Sequence, residues 1–210
     1  MIRAAAVTLL SLMSAGFAAA TPMECAKTSR VPVKFICEDA TLEGLDKEET
    51  RLADLAASGM GMTAAQKKDL SQSQASFRKT LAACRDAKPC LQRTLIERIY
   101  RLRQAYADVR SKDAEGTSLG PFIASCPGLD GLLEVTFVNV APALAFLSWR
   151  DRSAVLQQGL AASGARYTGA FGEGEAQFWN KGEQATLELP GRPPLNCKMQ
   201  EVGAPSTAPR

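Results

Sequence analysis

From residue 122 to residue 199 the chain alternates apolar and polar side chains in short runs, each ended by glycine, proline or small polar residues. The runs are 122–126, 133–138, 143–149, 154–158, 165–169, 176–179, 185–189 and 195–199. Segments this short cannot bury an apolar face one at a time. A succession of them with frequent turns favours a sandwich or a closed barrel. The run 143–149 is more continuously apolar than the rest.

The preceding stretch has a different period. Leu42, Leu45, Leu52, Leu55 and Ala56 recur at helical spacing, and Gly59 and Gly61 then stop the helix. Thr63 and Gln66 form a capping-box signature for a second helix, which carries Leu70, Phe77, Leu81 and Cys84 on one face. Pro89 suits the first turn of a third, lined by Leu91, Leu95, Ile99, Leu102 and Tyr106. The fold class is therefore α + β in two parts, a disulfide-linked helical hairpin or three-helix module followed by a β-domain. Helices this short bury little apolar surface alone, so crosslinks are expected to help them. Arg93, Arg98, Arg101 and Arg103 read as solvated positions on the third helix.

The first residues predict export. One early charge at Arg3, a short apolar run and the small residues Ala18 to Ala20 describe a signal peptide cleaved after Ala20. The apolar run is too short to span a bilayer. Cys25 follows Met23 and Glu24, not the small residues of a lipid-attachment site, so the expectation is a soluble periplasmic or secreted protein without stable membrane insertion. The expected divisions are 1–20 signal, 21–107 helices, 108–120 linker, 121–200 β-domain and 201–210 tail.

All six cysteines, Cys25, Cys37, Cys84, Cys90, Cys126 and Cys197, follow the signal, and an even number in an exported chain favours disulfides. An antiparallel hairpin of the first two helices would set Cys37 beside Cys84 and leave Cys25 for Cys90, with the other two pairings of these four still open. There is no histidine and no C-x-x-C spacing, so neither a metal site nor a cofactor site is expected. Ser-His-Asp and Cys-His catalysis both need an imidazole and are excluded. A formal net charge of +3, with neither half carrying the strong basic excess expected of a nucleic-acid binder, gives no footprint for nucleic acid.

Near the C-terminal end stand Ser163-Gly164-Ala165-Arg166-Tyr167 and Phe178-Trp179-Asn180-Lys181-Gly182, followed by Glu183, Ala185 and, later, Cys197. The pattern S-G-x-x-Y, a spacer, an aromatic-x-K-G, an acid-x-A and a strand ending in cysteine resembles the MliC/PliC family of bacterial inhibitors of C-type lysozyme. The resemblance spans roughly the last ninety residues. It implies a flattened eight-stranded antiparallel barrel, closed by a Cys126–Cys197 disulfide, with C-type lysozyme as protein partner. It also implies that Ser163 and Lys181 enter the enzyme's cleft, with Gly164, Gly182 and a supporting Tyr167 beside them. Trp179, from its place in a strand, reads more as core than as contact, and Arg166 as a solvated or rim charge.

The helical part resembles the LprI-type cysteine-rich module of exported bacterial proteins, which is also linked to lysozyme inhibition. The residues concerned are Ile36-Cys37, Leu42, Leu45-Asp46, Gln74, Cys84, Cys90-Leu91, Arg98-Ile99 and Leu102, whereas Phe77 stands where that family usually has Trp and Leu81 where it often has Arg. Its scaffold positions are better kept than its polar ones.

Two other functions compete. An enzyme with Ser163 as nucleophile and Lys181 as base needs a desolvated lysine, but Lys181 sits in a polar Asn-Lys-Gly-Glu context. A non-inhibitory envelope module that binds another peptidoglycan-processing enzyme, or the cell wall, shares every scaffold feature. The reading reached is a non-enzyme, without catalytic residues, that blocks the two catalytic carboxyl groups of lysozyme.

Overall fold

The computed structural model describes residues 31–59, 61–110 and 116–201. The expected signal, Cys25, part of the expected linker and the tail from 202 onward lie outside the described residues.

Five helices come first: α1 (Val33–Glu38), α2 (Ala40–Ser58), α3 (Ala64–Ala83), α4 (Lys88–Ala105) and the short α5 (Ala107–Arg110). Two of the long helices, α2 and α3, start where a side chain accepts from free backbone amides, whereas α4 has Pro89 in its first turn and no side-chain cap. The Asp39 carboxylate accepts from the amides of Thr41 and Leu42 at 3.0 and 3.1 Å, and Lys88 pairs with it at 2.5 Å. Thr63 and Gln66 make the expected capping box, with Thr63 N–H donating to Gln66 Oε1 at 2.9 Å and Gln66 N–H to Thr63 Oγ1 at 3.2 Å.

The strands are β1 (Ser118–Ser125), β2 (Leu133–Val138), β3 (Leu144–Trp149), β4 (Arg152–Gly159), β5 (Ala165–Phe171), β6 (Gly174–Lys181), β7 (Gln184–Glu188) and β8 (Leu195–Glu201). Each pairs antiparallel with the next, and β8 pairs with β1 to close an eight-stranded barrel. Alternation sets the two faces. Leu133, Val135, Ala145, Leu147, Leu156, Phe178 and Leu187 fill the interior, while their sequence neighbours point outward. The Cys126–Cys197 disulfide ties the end of β1 to β8 across 71 residues, a crosslink worth roughly 4 kcal/mol on the chain-entropy account.

The outer face of the barrel is not all solvated. Val138, Leu144 and Phe146 point away from the interior and join one continuous core with Leu45, Leu52, Leu95, Ile99 and Leu102 of the helices. The Tyr100 ring lies 5.0 Å from that of Phe146, and its hydroxyl donates to Glu134 at 2.9 Å. Burial, reinforced by Glu134 beside it, pushes the Tyr100 phenol up to about 12. Glu48 on α2 accepts from both the amide and the hydroxyl of Ser118, while Arg103 donates to Gly120 O at 2.7 Å and Ser118 Oγ at 3.2 Å. These bonds fix the start of β1, three residues before the expected start of the β-domain at 121. The helices are thus a layer laid on the outside of β2, β3 and their neighbours.

Two expectations change. Cys84, at the end of α3, bonds to Cys90 in the first turn of α4, so the nested pairs Cys37–Cys84 and Cys25–Cys90 do not form. It is α4, rather than α3, that runs along α2, so the hairpin that would set Cys37 beside Cys84 is not the one that forms. Cys37 is also disulfide-bonded, and its partner lies outside the described residues. Secondly, Arg93 and Arg101 are exposed as expected, but Arg98 and Arg103 are buried. Arg98 reaches Gln74 Oε1 at 2.7 Å and Glu49 at 3.6 Å, and Gln74 in turn donates to Glu49 at 2.9 Å. This triad crosses α2, α3 and α4. Burial raises the Glu49 carboxyl and lowers the Arg98 guanidinium from their ordinary values, so desolvation outweighs a loose ion pair.

Candidate functional site

Two connections of the barrel come together at one end, the β4–β5 loop (160–164) and the β6–β7 turn (182–183). Strand register makes them neighbours: Ala165 pairs with Asn180, and Lys181 with Gln184. Ser163 and Gly164 therefore lie beside Lys181 and Gly182, and all four are exposed. Of the residues singled out in the sequence, these four are brought together at the surface.

The fifth, Tyr167, lies in the interior. It is 5 % exposed, its ring is 5.4 Å from Phe137, and it pairs across the strands with Phe178. Burial raises the Tyr167 hydroxyl above its ordinary value. Tyr167 holds β5 against β6 and leaves the surface to Arg166 on its other side.

Trp179 takes the opposite place from the one its strand position suggested. Phe178 occupies the interior, so period 2 turns Trp179 outward, where it is half-buried. Its indole N–H donates to Ser163 O at 2.9 Å, and the Lys181 ammonium sits 3.9 Å from its ring centroid. One aromatic side chain thus touches both the serine loop and the lysine. The sequence carried the signal in Trp-x-Lys, two residues two apart on one strand and so on one face.

Backbone geometry completes the contact. Gly164 has φ +67°, and a Cβ there would lie 2.4 Å from Asn180 O and 2.7 Å from Lys181 Cγ. Only glycine lets the serine loop close onto the lysine stem. Across the turn, Asn180 Nδ2 donates to Gly182 O at 2.9 Å, and Gly182 itself has φ +62° with open space where a side chain would project.

On the outer face, Arg166 stands opposite Trp179, and Trp179 opposite Thr186. The Arg166 Nε is buried without a hydrogen-bond partner. One register row on, Lys181, Gln184, Lys198 and Ser125 follow each other across β6, β7, β8 and β1. An open groove of about 1090 Å³ runs along this row from Trp179 and Lys181 to Leu132. The site offers an ammonium, a hydroxyl and unshielded backbone side by side at an exposed end of the barrel. That is equipment for binding an acidic group. Among the described residues no group of acidic or cysteine side chains is arranged to hold a metal, and no helix is long and apolar enough to cross a membrane.

Residues 125–196 match the family described as membrane-bound lysozyme-inhibitor of c-type lysozyme. The matched segment holds β2 to β7 whole, with the serine loop and the Lys181 turn inside it, and the helical layer outside it. No curated protein matches the chain.

Proposed function

We propose that this chain, exported to the periplasm or beyond, inhibits c-type lysozyme by presenting Ser163 and Lys181 to the two catalytic carboxyl groups of the enzyme's cleft. Glycoside hydrolysis of this kind needs one carboxyl as acid and one as nucleophile or stabiliser, so occupying both stops the reaction. Lys181 brings three N–H donors and a charge, and its bonds to a carboxylate are charge-assisted. The Ser163 hydroxyl donates to an ionised carboxylate or accepts from a protonated one. Gly164 and Gly182 allow the backbone to approach the cleft wall, and Tyr167 supports the site from beneath.

The observation that carries this reading is Trp179, which links Ser163 and Lys181 within the segment matching the inhibitor family. Because Trp179 holds the backbone of the serine loop and the Lys181 ammonium in place, less ordering entropy is lost on docking. The same geometry disfavours a serine–lysine hydrolase. Lys181 is exposed with its ammonium against an indole face, a setting for a charged donor rather than for a desolvated base.

The test is a cell-wall lysis assay with hen lysozyme and the oxidised full chain, because the helices and barrel share a core. Stoichiometric inhibition, lost in Lys181→Ala, is the expected result. Absence of inhibition by a correctly disulfide-bonded chain would remove the proposal in favour of a non-inhibitory envelope-binding module.

A further inference from the structure

Leu160 is 92 % exposed, against 59 % for Leu132, 50 % for Val31, 43 % for Leu119 and 38 % for Phe35, the other exposed large apolar side chains among the described residues. It stands just after β4, three positions before Ser163, and the intervening Ala161 and Ala162 are exposed as well. The loop that carries Ser163 therefore offers solvent a Leu-Ala-Ala run and no charged side chain. A single exposed leucine needs no explanation, but this one packs on nothing and belongs to an apolar tip whose base is pinned. The pins are Trp179 on the carbonyl of Ser163, and Gly164 against the stem of Lys181. Strand pairing holds the other end, with Gly159 opposite Arg166.

A fixed loop with an apolar tip beside a charged donor suits a partner cleft in which carboxyl groups border an apolar wall. Binding energy at protein interfaces concentrates in a few side chains that become fully desolvated in well-packed pockets, and burying a leucine from near-complete exposure contributes apolar area of that sort. We infer that Leu160 is an apolar anchor of the inhibitory surface, buried against the cleft wall of lysozyme while Lys181 and Ser163 engage its carboxyl groups. This rests on the function proposed above. The lysine and serine supply direction and charge, whereas Leu160 supplies desolvated area and slows dissociation.

The experiment measures association and dissociation of hen lysozyme on the full-length chain by surface plasmon resonance, for the natural protein, Leu160→Ser, Leu160→Met and Lys181→Ala. Leu160→Ser is expected to dissociate about tenfold faster with little change in association, as affinity differences among related complexes fall mostly on dissociation. Leu160→Met should restore most of the lifetime, since it returns apolar area without the same shape. Melting temperatures should match throughout the Leu160 series, which separates anchoring from folding. Faster dissociation for Lys181→Ala with an unchanged rate for Leu160→Ser would overturn the anchor alone. No binding by the natural chain would overturn the inhibitor reading and the anchor with it.

Discussion

The indole N–H of Trp179 donates to the carbonyl oxygen of Ser163 at 2.9 Å, across the gap between β6 and the β4–β5 loop. The bond ties the position of the serine loop to the strand that carries Lys181. It also leaves the Trp179 ring face free for the lysine ammonium. Serine and lysine are thus one preformed unit, and the first three predictions test it.

Lys181→Ala should weaken the complex with hen lysozyme by about 2–5 kcal/mol, because a carboxylate in the partner loses its charged donor on burial. Titration calorimetry at neutral pH measures it. The natural complex should also weaken on acidification, as the partner carboxyl groups become protonated. Tighter binding at pH near 4 would argue against a carboxylate target.

Trp179→Phe keeps an aromatic face for Lys181 and loses the bond to Ser163, so affinity should fall by about 1 kcal/mol. Trp179→Leu removes the face too and should cost about 0.5–1 kcal/mol more. Equal losses for the two variants would leave the lysine contact without a role.

Gly164→Ala and Gly182→Ala both place a side chain in left-handed backbone, at a cost of about 1 kcal/mol or somewhat more. Only Gly164→Ala also drives a methyl group into Asn180 O and the Lys181 stem. Thermal unfolding should therefore show the larger loss at 164. Lysozyme binding should be impaired by Gly164→Ala well beyond the effect of Gly182→Ala.

Phe146→Ala removes a fully buried ring that the barrel presents to the helices, and the loss should be about 3–5 kcal/mol in urea unfolding. Helical and barrel signals should unfold together in the natural protein. A helical transition separate from that of the barrel would contradict the shared core.

Asp39→Ala should cost about 1 kcal/mol by uncapping α2. Burial works against ionisation of Asp39, but Lys88 and the amides of Leu42 and Thr41 outweigh it and hold the carboxyl below its ordinary value of 3.8. A lowered folded value means that this contribution is complete above the ordinary aspartate range and is lost as pH falls through the lower value. Melts across the acid range should therefore converge for the natural chain and Asp39→Ala at the lowest pH.

The amino-acid sequence by itself determined the eight strands and the three long helices, but not the short α1 and α5. Period 2 located each of the eight strands to within a few residues, and Thr63 with Gln66 marked the start of α3. It also supplied the residues that meet at the barrel end, since Ser163 and Lys181 stand in a recognisable order. Side-chain period and turn chemistry are local, so both can be read along the chain. Tertiary structure decided which cysteines meet, for Cys84–Cys90 depends on α4 and not α3 lying along α2. It turned Trp179 outward, because the choice between Trp179 and Phe178 for the interior is fixed by register with β5 and β7. It buried Arg98 and Arg103 against partners on other elements. It also covered the outside of β2 and β3, a fact whose trace was the continuous apolar run of 143–149. Alternation tells which residues share a face. What covers that face depends on segments distant in sequence, and only folding brings those together.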